Sequence, residues 1–161
     1  MIVTILGSNS GDRHQLLKDA VVMLQEAGRV ISKSACYETE PWGFEAEENF
    51  LNQVVVFDTD QSPIDFLHYC LAVEKKLGRV RKSGGPRYSS RPIDIDMLFC
   101  DSQIIDLPEL TVPHPRMCER NFVLTPLAEV MPDFVHPVNH HSVRELLHSC
   151  TDHSAVLKCE E

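Results

Sequence analysis

Strand patterns alternate with amphipathic helix patterns over the first hundred residues, and this alternation constrains the fold more than any other feature. Apolar and β-branched runs predict strands at residues 2–6, 30–37, 50–58 and 93–100. Apolar residues at helical spacing predict two helices, over residues 12–24 and 63–77. Helices that separate strands in this order predict an α+β fold, in which helices cover a central and largely antiparallel sheet.

Several helix starts carry capping signals. Asp12 and Ser62 are N-cap candidates, the second followed by a proline at the first helical position. The Ser-Val-Arg-Glu sequence from Ser142 is a capping box, which predicts a late helix, and a further helix is expected around residues 117–124. Because no repeat or low-complexity linker divides the chain, we expect one domain over residues 1–161.

The composition disfavours several classes of protein. The 161 residues are 43% hydrophobic, which suffices for one core without disulfides or a structural metal. A formal charge of −9 disfavours nucleic acids and membrane surfaces as partners. The N-terminus has no signal-peptide pattern, and no apolar run reaches about 18 residues. We therefore expect a cytoplasmic monomer.

Cysteine and histidine spacing gives little support for a metal centre. The six cysteines are far apart and form no C-x-x-C pair, so we expect reduced, mostly buried thiols. Five of the eight histidines lie within residues 136–153, but Pro137 interrupts the helical pairing of His136 with His140. A late metal site is therefore a minor alternative.

Positive charge is concentrated in one stretch without acidic residues. Seven of the fifteen basic residues lie between Lys75 and Arg91, where no aspartate or glutamate occurs. Four of the seven are arginines, and glycines and serines expose the backbone between them. A solvated basic surface is one explanation, and a loop that closes over a polyphosphate is the other. We expect an anion to bind here.

Two aspartates face the same way on the strand that follows this stretch. Because side chains alternate along a strand, the odd-numbered apolar residues from 93 to 99 are expected on one face and Asp94 and Asp96 on the other. The two carboxylates repel each other unless a cation lies between them, and Mg²⁺ binds such pairs together with phosphate oxygens. A solvated edge-strand face explains the pair equally well. Arg91, three residues before Asp94, favours the metal and phosphate interpretation.

Familiar phosphate-binding and nucleophile signatures are absent from the sequence. It contains no G-x-x-x-x-G-K-[ST], no G-x-G-x-x-G and no recognisable triad. Phosphoryl transfer is compatible with this, because the substrate supplies the nucleophile and the protein supplies positioning and charge. Glu74 lies on the apolar face of the second helix, where an internal ion pair with an arginine is the simplest explanation.

Several motifs, occurring together and in order, resemble the 6-hydroxymethyl-7,8-dihydropterin pyrophosphokinase family. They are Leu-Gly-Ser-Asn from residue 6, Phe-Leu-Asn from residue 50, Gly-Arg-Val-Arg from residue 78, Arg-Pro-Ile-Asp-Ile-Asp from residue 91, Val-Pro-His-Pro from residue 112 and Arg-Asn-Phe-Val-Leu from residue 120. The likeness extends over residues 2–135. It implies a three-layer α/β/α sandwich of ferredoxin-like type. It also implies transfer of the β,γ-diphosphate of MgATP to the hydroxymethyl group of the dihydropterin, with release of AMP, in folate biosynthesis.

The resemblance also implies a role for individual residues. The metal ligands for two Mg²⁺ ions are Asp94 and Asp96, and the catalytic set adds Arg81 and Arg91. The ATP-binding set is Glu74, Arg79, Arg81, Lys82, Arg91, Ile95, His114 and Arg120. The pterin is expected between Phe50 and Phe122, and the other pterin-binding residues are Gly7, Thr39, Pro41, Trp42 and Asn52.

Some positions depart from the family pattern. The dipeptide before Arg91 is Ser-Ser, where relatives commonly have Gly-Pro or Ala-Pro, so Arg87 is a second candidate for the role of Arg91. Tyr88 stands in the loop where a tryptophan is often found, and Pro115 follows the histidine where some relatives carry tyrosine.

Two other classes remain open on the residues alone. A polymerase-β-type nucleotidyltransferase shares a Gly-Ser and a later D-x-D, but there the two motifs lie close together, whereas 87 positions separate Gly7 from Asp94 here. A non-catalytic ferredoxin-like module that binds nucleotide as a regulator needs no paired carboxylates, so it leaves Asp94 and Asp96 unexplained.

Overall fold

The strands that carry the site belong to one antiparallel sheet. The computed structural model describes residues 1–40, 49–78 and 92–160. Its strands are β1 (Ile2–Ser8), β2 (Arg29–Lys33), β3 (Tyr37–Thr39), β4 (Phe50–Asp58), β5 (Asp94–Cys100), β6 (Ile105–Asp106), β7 (Thr111–Val112) and β8 (Val156–Lys158). The sheet order is β5-β1-β4-β3-β8, with β2 also pairing with β4, and β6 and β7 form a separate small ribbon. All of these pairs are antiparallel, as the sequence predicted.

Three of the four helices in the described ranges, α1, α2 and α4, begin where the sequence placed their caps. They are α1 (Arg13–Leu24), α2 (Pro63–Lys76), α3 (Asn121–Val130) and α4 (Val143–Ser149), with a 3-10 turn at Met117–Glu119. The side chains of Asp12 and Ser62 accept hydrogen bonds from backbone N–H groups of the first turns of α1 and α2. Ser142 and Glu145 form the complete capping box of α4.

Two apolar cores lie on opposite faces of the sheet. The first packs α1 and α2 against one face, with Leu6, Val55 and Ile95 as the strand contributions at its centre. The second packs α3 and α4 against the other face and includes Ile5 and Val54. Neighbouring strand residues therefore belong to different cores, which gives the three layers α/β/α implied by the resemblance.

A β-bulge corrects one detail of the strand prediction. Ile93, Ile95 and Met97 belong to the first core, as expected, but Phe99 belongs to the second. The register of β5 against β1 shifts between Val3 and Thr4, so the residue between Met97 and Phe99 has no partner in β1. This extra residue reverses the alternation, which places Phe99 on the face opposite to the one predicted.

Other boundaries also differ from the sequence prediction. The strand expected over residues 30–37 is interrupted, because Ser34 leaves the ladder and bonds to β4 through both its backbone and its hydroxyl group. The helix expected over residues 117–124 is a 3-10 turn followed by α3. Strand β8 had no sequence signal of its own.

One of the late histidines, His136, has a structural role. His136 is buried, its Nδ1 accepts hydrogen bonds from the N–H groups of Val138 and Asn139, and its ring meets Phe99 edge-on. Within the three described ranges, no group of three or more His, Cys, Asp or Glu side chains could hold a metal ion. The six cysteines are free thiols. No helix of the described chain is long and apolar enough to span a bilayer.

Candidate active site

Four strands place one row of residues side by side on the face that carries α3 and α4. Asp94 of β5 pairs with Gly7 of β1, Gly7 pairs with Asn52 of β4, and Asn52 pairs with Tyr37 of β3. At about 4.8 Å between neighbouring strands, Asp94 and Asn52 are about 10 Å apart. The residue between them is a glycine, so no side chain of β1 separates the carboxylate from the amide. We call this row the candidate cleft.

Gly7 leaves room in the candidate cleft for the amide of Asn52. A Cβ atom at this position would lie 3.0 Å from Oδ1 of Asn52 and 3.8 Å from the ring of Phe50. Asn52 is 4% exposed, and its Nδ2 donates to Oγ1 of Thr39 at 3.0 Å. Thr39 in turn pairs with Phe50 across the β3–β4 ladder. The structure thus brings together four of the residues assigned to the pterin: Gly7, Thr39, Phe50 and Asn52.

Asp94 and Asp96 lie at the other end of the row. Both side chains are half-buried and both point to the face opposite Ile95, because they are two residues apart on one strand. Among the described residues, no third acidic, histidine or cysteine side chain joins the two carboxylates to form a metal-binding group. Such a pair fits Mg²⁺, because this ion takes its remaining ligands from water and phosphate. A zinc site would need more protein ligands.

Glu74 supports the strand that carries these aspartates. It is 2% exposed, and its Oε2 accepts a hydrogen bond from the backbone N–H of Ile95 at 2.7 Å. Strand β5 is an edge strand of the sheet. This N–H points away from β1, so it needs a hydrogen-bond acceptor outside the β1–β5 ladder. Glu74 fixes the backbone between Asp94 and Asp96, a role that the sequence did not reveal.

His114 is held as a neutral donor near the aspartates. Its backbone N–H bonds to the carbonyl of Leu98, the bulge residue of β5, and its Nδ1 accepts from the N–H of Arg116 at 3.2 Å. The remaining proton of the neutral ring is therefore on Nε2. Burial, and then the positive charge of Arg120, lower the pKa of His114 to about 4, against a smaller opposing effect of Asp94.

The N-terminus of α3 presents two more residues that the sequence assigned. The guanidinium of Arg120 lies 5.6 Å from the ring centre of Phe122, within the range of a cation–π contact. Between them, the backbone N–H of Asn121 donates to Oδ2 of Asp152 at 2.9 Å, and Nδ2 of Asn121 donates to the Ser154 carbonyl. The C-terminal segment therefore anchors the helix start that carries Arg120 and Phe122.

A second anchor was also missed by the sequence analysis. The hydroxyl of Tyr37 donates to Oε1 of Glu129 on α3 at 2.6 Å, and Oε2 of Glu129 accepts from the N–H of Ala35. Burial, followed by this hydrogen bond and charge, raises the pKa of Tyr37 to about 12. Lys158 of β8 completes the group at 3.6 Å from Glu129. The sequence around Glu129 does not indicate that its carboxylate bonds to a tyrosine on a distant strand.

The remaining predicted site residues lie outside the described ranges. They are Pro41, Trp42, Arg79, Arg81, Lys82, Arg87, Tyr88 and Arg91.

Comparison with known proteins decides the family. The family model for 7,8-dihydro-6-hydroxymethylpterin-pyrophosphokinase matches residues 3–132. The chain belongs to this family. A 2-amino-4-hydroxy-6-hydroxymethyldihydropteridine pyrophosphokinase of Porphyromonas gingivalis is 50% identical to it over 134 residues, which cover 82% of this chain and 90% of the relative. One of Methylorubrum extorquens, with the same name, is 42% identical over 144 residues, 88% of each chain.

Solved structures support the fold of this family. The HPPK-DHPS of Plasmodium falciparum, in a crystal structure with pteroate, matches with a TM-score of 0.73 at 18% identity over 91% of this chain. The chain spans only 41% of that longer protein. The three-layer α+β fold is confirmed, and the resemblance seen in the motifs is confirmed by the family match. As a family member, the protein is an ATP-using pyrophosphokinase of folate biosynthesis, an enzyme type that generally requires Mg²⁺.

Proposed function

We propose that the chain transfers the β,γ-diphosphate of ATP to the hydroxymethyl oxygen of 6-hydroxymethyl-7,8-dihydropterin, and that AMP is released. One observation carries this proposal, namely the row in which Gly7 separates Asp94 from Asn52. A carboxylate end suits a metal-bound polyphosphate, and a buried amide suits the edge of a heterocycle. The separation of about 10 Å leaves room for the reacting hydroxymethyl group between the two ends.

The pterin half of the site is Asn52 with its neighbours. Asn52 both donates and accepts, which matches the mixed donors and acceptors of a pterin edge, and Thr39 fixes the orientation of the amide through its Oγ1. Phe50 beside Gly7 and Phe122 at the start of α3 offer the aromatic faces for the flat ring. Pro41 and Trp42 stay assigned to this half from the sequence.

The nucleotide half is Asp94 and Asp96 with His114 and Arg120. The two aspartates are proposed to hold two Mg²⁺ ions, which when bound neutralise phosphate oxygens and align the diphosphate for transfer. The neutral ring of His114 donates through Nε2 to a phosphate oxygen without adding charge. Arg120 adds a positive charge next to Phe122, where the two substrates meet.

The chemistry needs positioning more than a protein nucleophile. The hydroxymethyl oxygen forms a bond to the β-phosphorus while the bond from that phosphorus to the oxygen bridging to the α-phosphate breaks, so the bridging oxygen leaves with AMP. The proton of the hydroxymethyl group is released to solvent. Asn52 and the aromatic rings orient the acceptor, and the aspartate end orients the donor. Arg81 and Arg91 are proposed to stabilise the charge that develops on the transferred group, with Arg79 and Lys82 binding ATP.

The identity of the nucleotide product tests this function. Purified protein, ATP, Mg²⁺ and 6-hydroxymethyl-7,8-dihydropterin are incubated, and nucleotides are separated by anion-exchange chromatography. AMP in one-to-one ratio with consumed pterin is the expected result. ADP would indicate an ordinary kinase, free pyrophosphate a nucleotidyltransferase, and no turnover a binding module, and each of these would contradict the proposal.

A further inference from the structure

Arg13 joins the two strands that carry the pterin-side residues. It is the first residue of α1, and its Nη1 donates to Oε1 of Glu38 at 3.3 Å and to the carbonyl oxygen of Asn49 at 2.8 Å. Glu38 is the middle residue of β3, and Asn49 directly precedes β4. One guanidinium group thus bonds to the middle residue of β3 and to the residue that precedes β4.

Helix α1 by itself does not explain this arginine. A positive charge in the first turn of a helix is opposed by the helix dipole, and the carboxylate of the N-cap residue, Asp12, accepts a hydrogen bond from the N–H of Gln15. Arginine side chains also usually extend into solvent, yet this one is only 22% exposed. Its contacts with Glu38 and Asn49 offset both costs.

Arg13 and the pterin-side residues lie on opposite faces of the same strand pair. Side chains alternate along β3, so Glu38 points toward α1 while Thr39 points toward the cleft, where its Oγ1 accepts from Asn52. Thr39 and Phe50 form the last pair of the β3–β4 ladder. Strand β3 has only three residues, and β8 holds its other edge, where Thr39 pairs with Val156. The contacts of Arg13 add to these two short ladders in positioning the last pair.

We propose that Arg13 is a positioning residue for the pterin half of the active site. By holding Glu38 and Asn49 together, it fixes the spacing of Thr39, Phe50 and Asn52 from behind the strands. The inference rests on the proposed function, since it assigns a role in pterin binding. It predicts a selective effect, because its two bonds are to β3 and to the residue before β4. The described residues assigned to ATP lie elsewhere, on α2 (Glu74), on β5 (Ile95) and between β7 and α3 (His114 and Arg120).

The test compares Arg13→Gln with Arg29→Gln. Arg29 also pairs with an acidic residue between two strands, at 3.2 Å from Asp58, but that pair is exposed and lies at the opposite end of β4. Arg13→Gln should raise the KM for the pterin about tenfold and leave the KM for ATP within about twofold. Arg29→Gln should change neither constant. Arg13→Lys keeps the charge and should restore part of the lost pterin affinity.

A second measurement separates this inference from the proposed function. Pterin binding is measured by isothermal titration calorimetry, which needs no turnover. The role would be supported if Arg13→Gln binds the pterin more weakly than the unmutated protein does. The Glu38→Gln/Arg13→Gln double variant should then bind the pterin no more weakly than Arg13→Gln alone. Unchanged pterin affinity, or an equal loss of pterin and ATP affinity with a lower Tm, would overturn it. If the unmutated protein binds no pterin, the proposed function fails and the inference fails with it.

Discussion

The two faces of the central sheet are built from the same strands but differ in what they can do. The face toward α1 and α2 is apolar along most of its length, with Leu6, Val55 and Phe57 fully buried. The face toward α3 and α4 is apolar at one end only. At its other end it carries Asp94 and Asp96 with the glycine and amide that complete the row.

This difference assigns stability and function to opposite sides of single strands. Consecutive residues of β1 have different roles, because their side chains lie on opposite faces of the sheet. Leu6 packs in the first core, whereas Gly7 lies in the candidate cleft. Polar residues on the second face contribute little burial of apolar area, so their substitution should affect activity more than stability. Substitutions on the first face should do the reverse.

The largest effect is expected for the metal ligands. Asp96→Ala or Asp94→Ala should lower kcat by at least about a thousandfold, because the carboxylate that holds Mg²⁺ is lost. The Tm in the absence of metal should change little, because both side chains are only half-buried and neither belongs to the apolar cores. Steady-state kinetics and differential scanning calorimetry measure both. Asp106→Ala, an exposed aspartate on β6, is the control, and retained activity in Asp96→Ala would refute the metal assignment.

A substitution on the first face should show the opposite pattern. Leu6→Ala removes a fully buried side chain and should lower the free energy of unfolding by about 2–5 kcal/mol. The folded fraction should keep both KM values, because Leu6 points away from the cleft. Urea denaturation gives the stability, and kinetics at low temperature give the KM values. If Leu6→Ala raised the KM for the pterin and left the Tm unchanged, the assignment of stability to one face and function to the other would be wrong.

Gly7→Ala should act on the cleft with a smaller effect. The new Cβ would lie 3.0 Å from Oδ1 of Asn52, so the amide must move, and the KM for the pterin should rise about tenfold. Gly28→Ala is a matched control, because its Cβ would lie equally close to Thr59, far from the site along β4. We expect Gly28→Ala to lower the Tm without changing either KM. Equal pterin KM values in the two variants would argue against a role of Gly7 in the candidate cleft.

The smallest effect is expected at the anchor of α3. Asp152→Ala removes the acceptor of the Asn121 N–H and should lower the stability by about 1 kcal/mol at pH 7. Partial burial would raise the pKa of Asp152, but the hydrogen bonds from Ser154 and Asn121 outweigh it and lower this pKa. The ionised carboxylate of Asp152 therefore stabilises the folded state fully above the pKa of about 3.9 that it has in the unfolded chain. This stabilisation is lost as the pH falls through the lower pKa that Asp152 has in the folded protein.

The pH dependence of this difference provides its control. Urea denaturation of the unmutated protein and of Asp152→Ala at several pH values should show a gap that is constant near neutrality and narrows as the pH falls below about 4. A gap independent of pH down to the acid transition would mean that the carboxylate charge is not what stabilises the helix start.

Local signals in the sequence predicted three helix starts and the shared face of the two aspartates. The N-caps at Asp12 and Ser62, the capping box at Ser142 and the shared face of Asp94 and Asp96 all depend on residues close in sequence, and the structure confirms them. The motifs that resemble the family added the residues on β1, β4 and α3.

The features that were missed depend on contacts between distant segments. The bulge at Leu98 exists because of the register of β5 on β1, and β8 is a strand only because β3 offers it a pairing edge. The hydrogen bonds of Glu74 to Ile95 and of Arg13 to Asn49 join residues on different elements. Single-sequence patterns carry no information about such partners.

Phosphorus NMR of the complete reaction tests the central claim most directly. Following ATP, Mg²⁺ and 6-hydroxymethyl-7,8-dihydropterin with the unmutated protein, we predict that the ATP resonances are replaced by one AMP signal and the paired signals of a pterin diphosphate ester in equal amounts. The same mixture with Asp94→Ala should remain unchanged. Formation of ADP, of free pyrophosphate, or of the ester by Asp94→Ala at the unmutated rate would contradict the account.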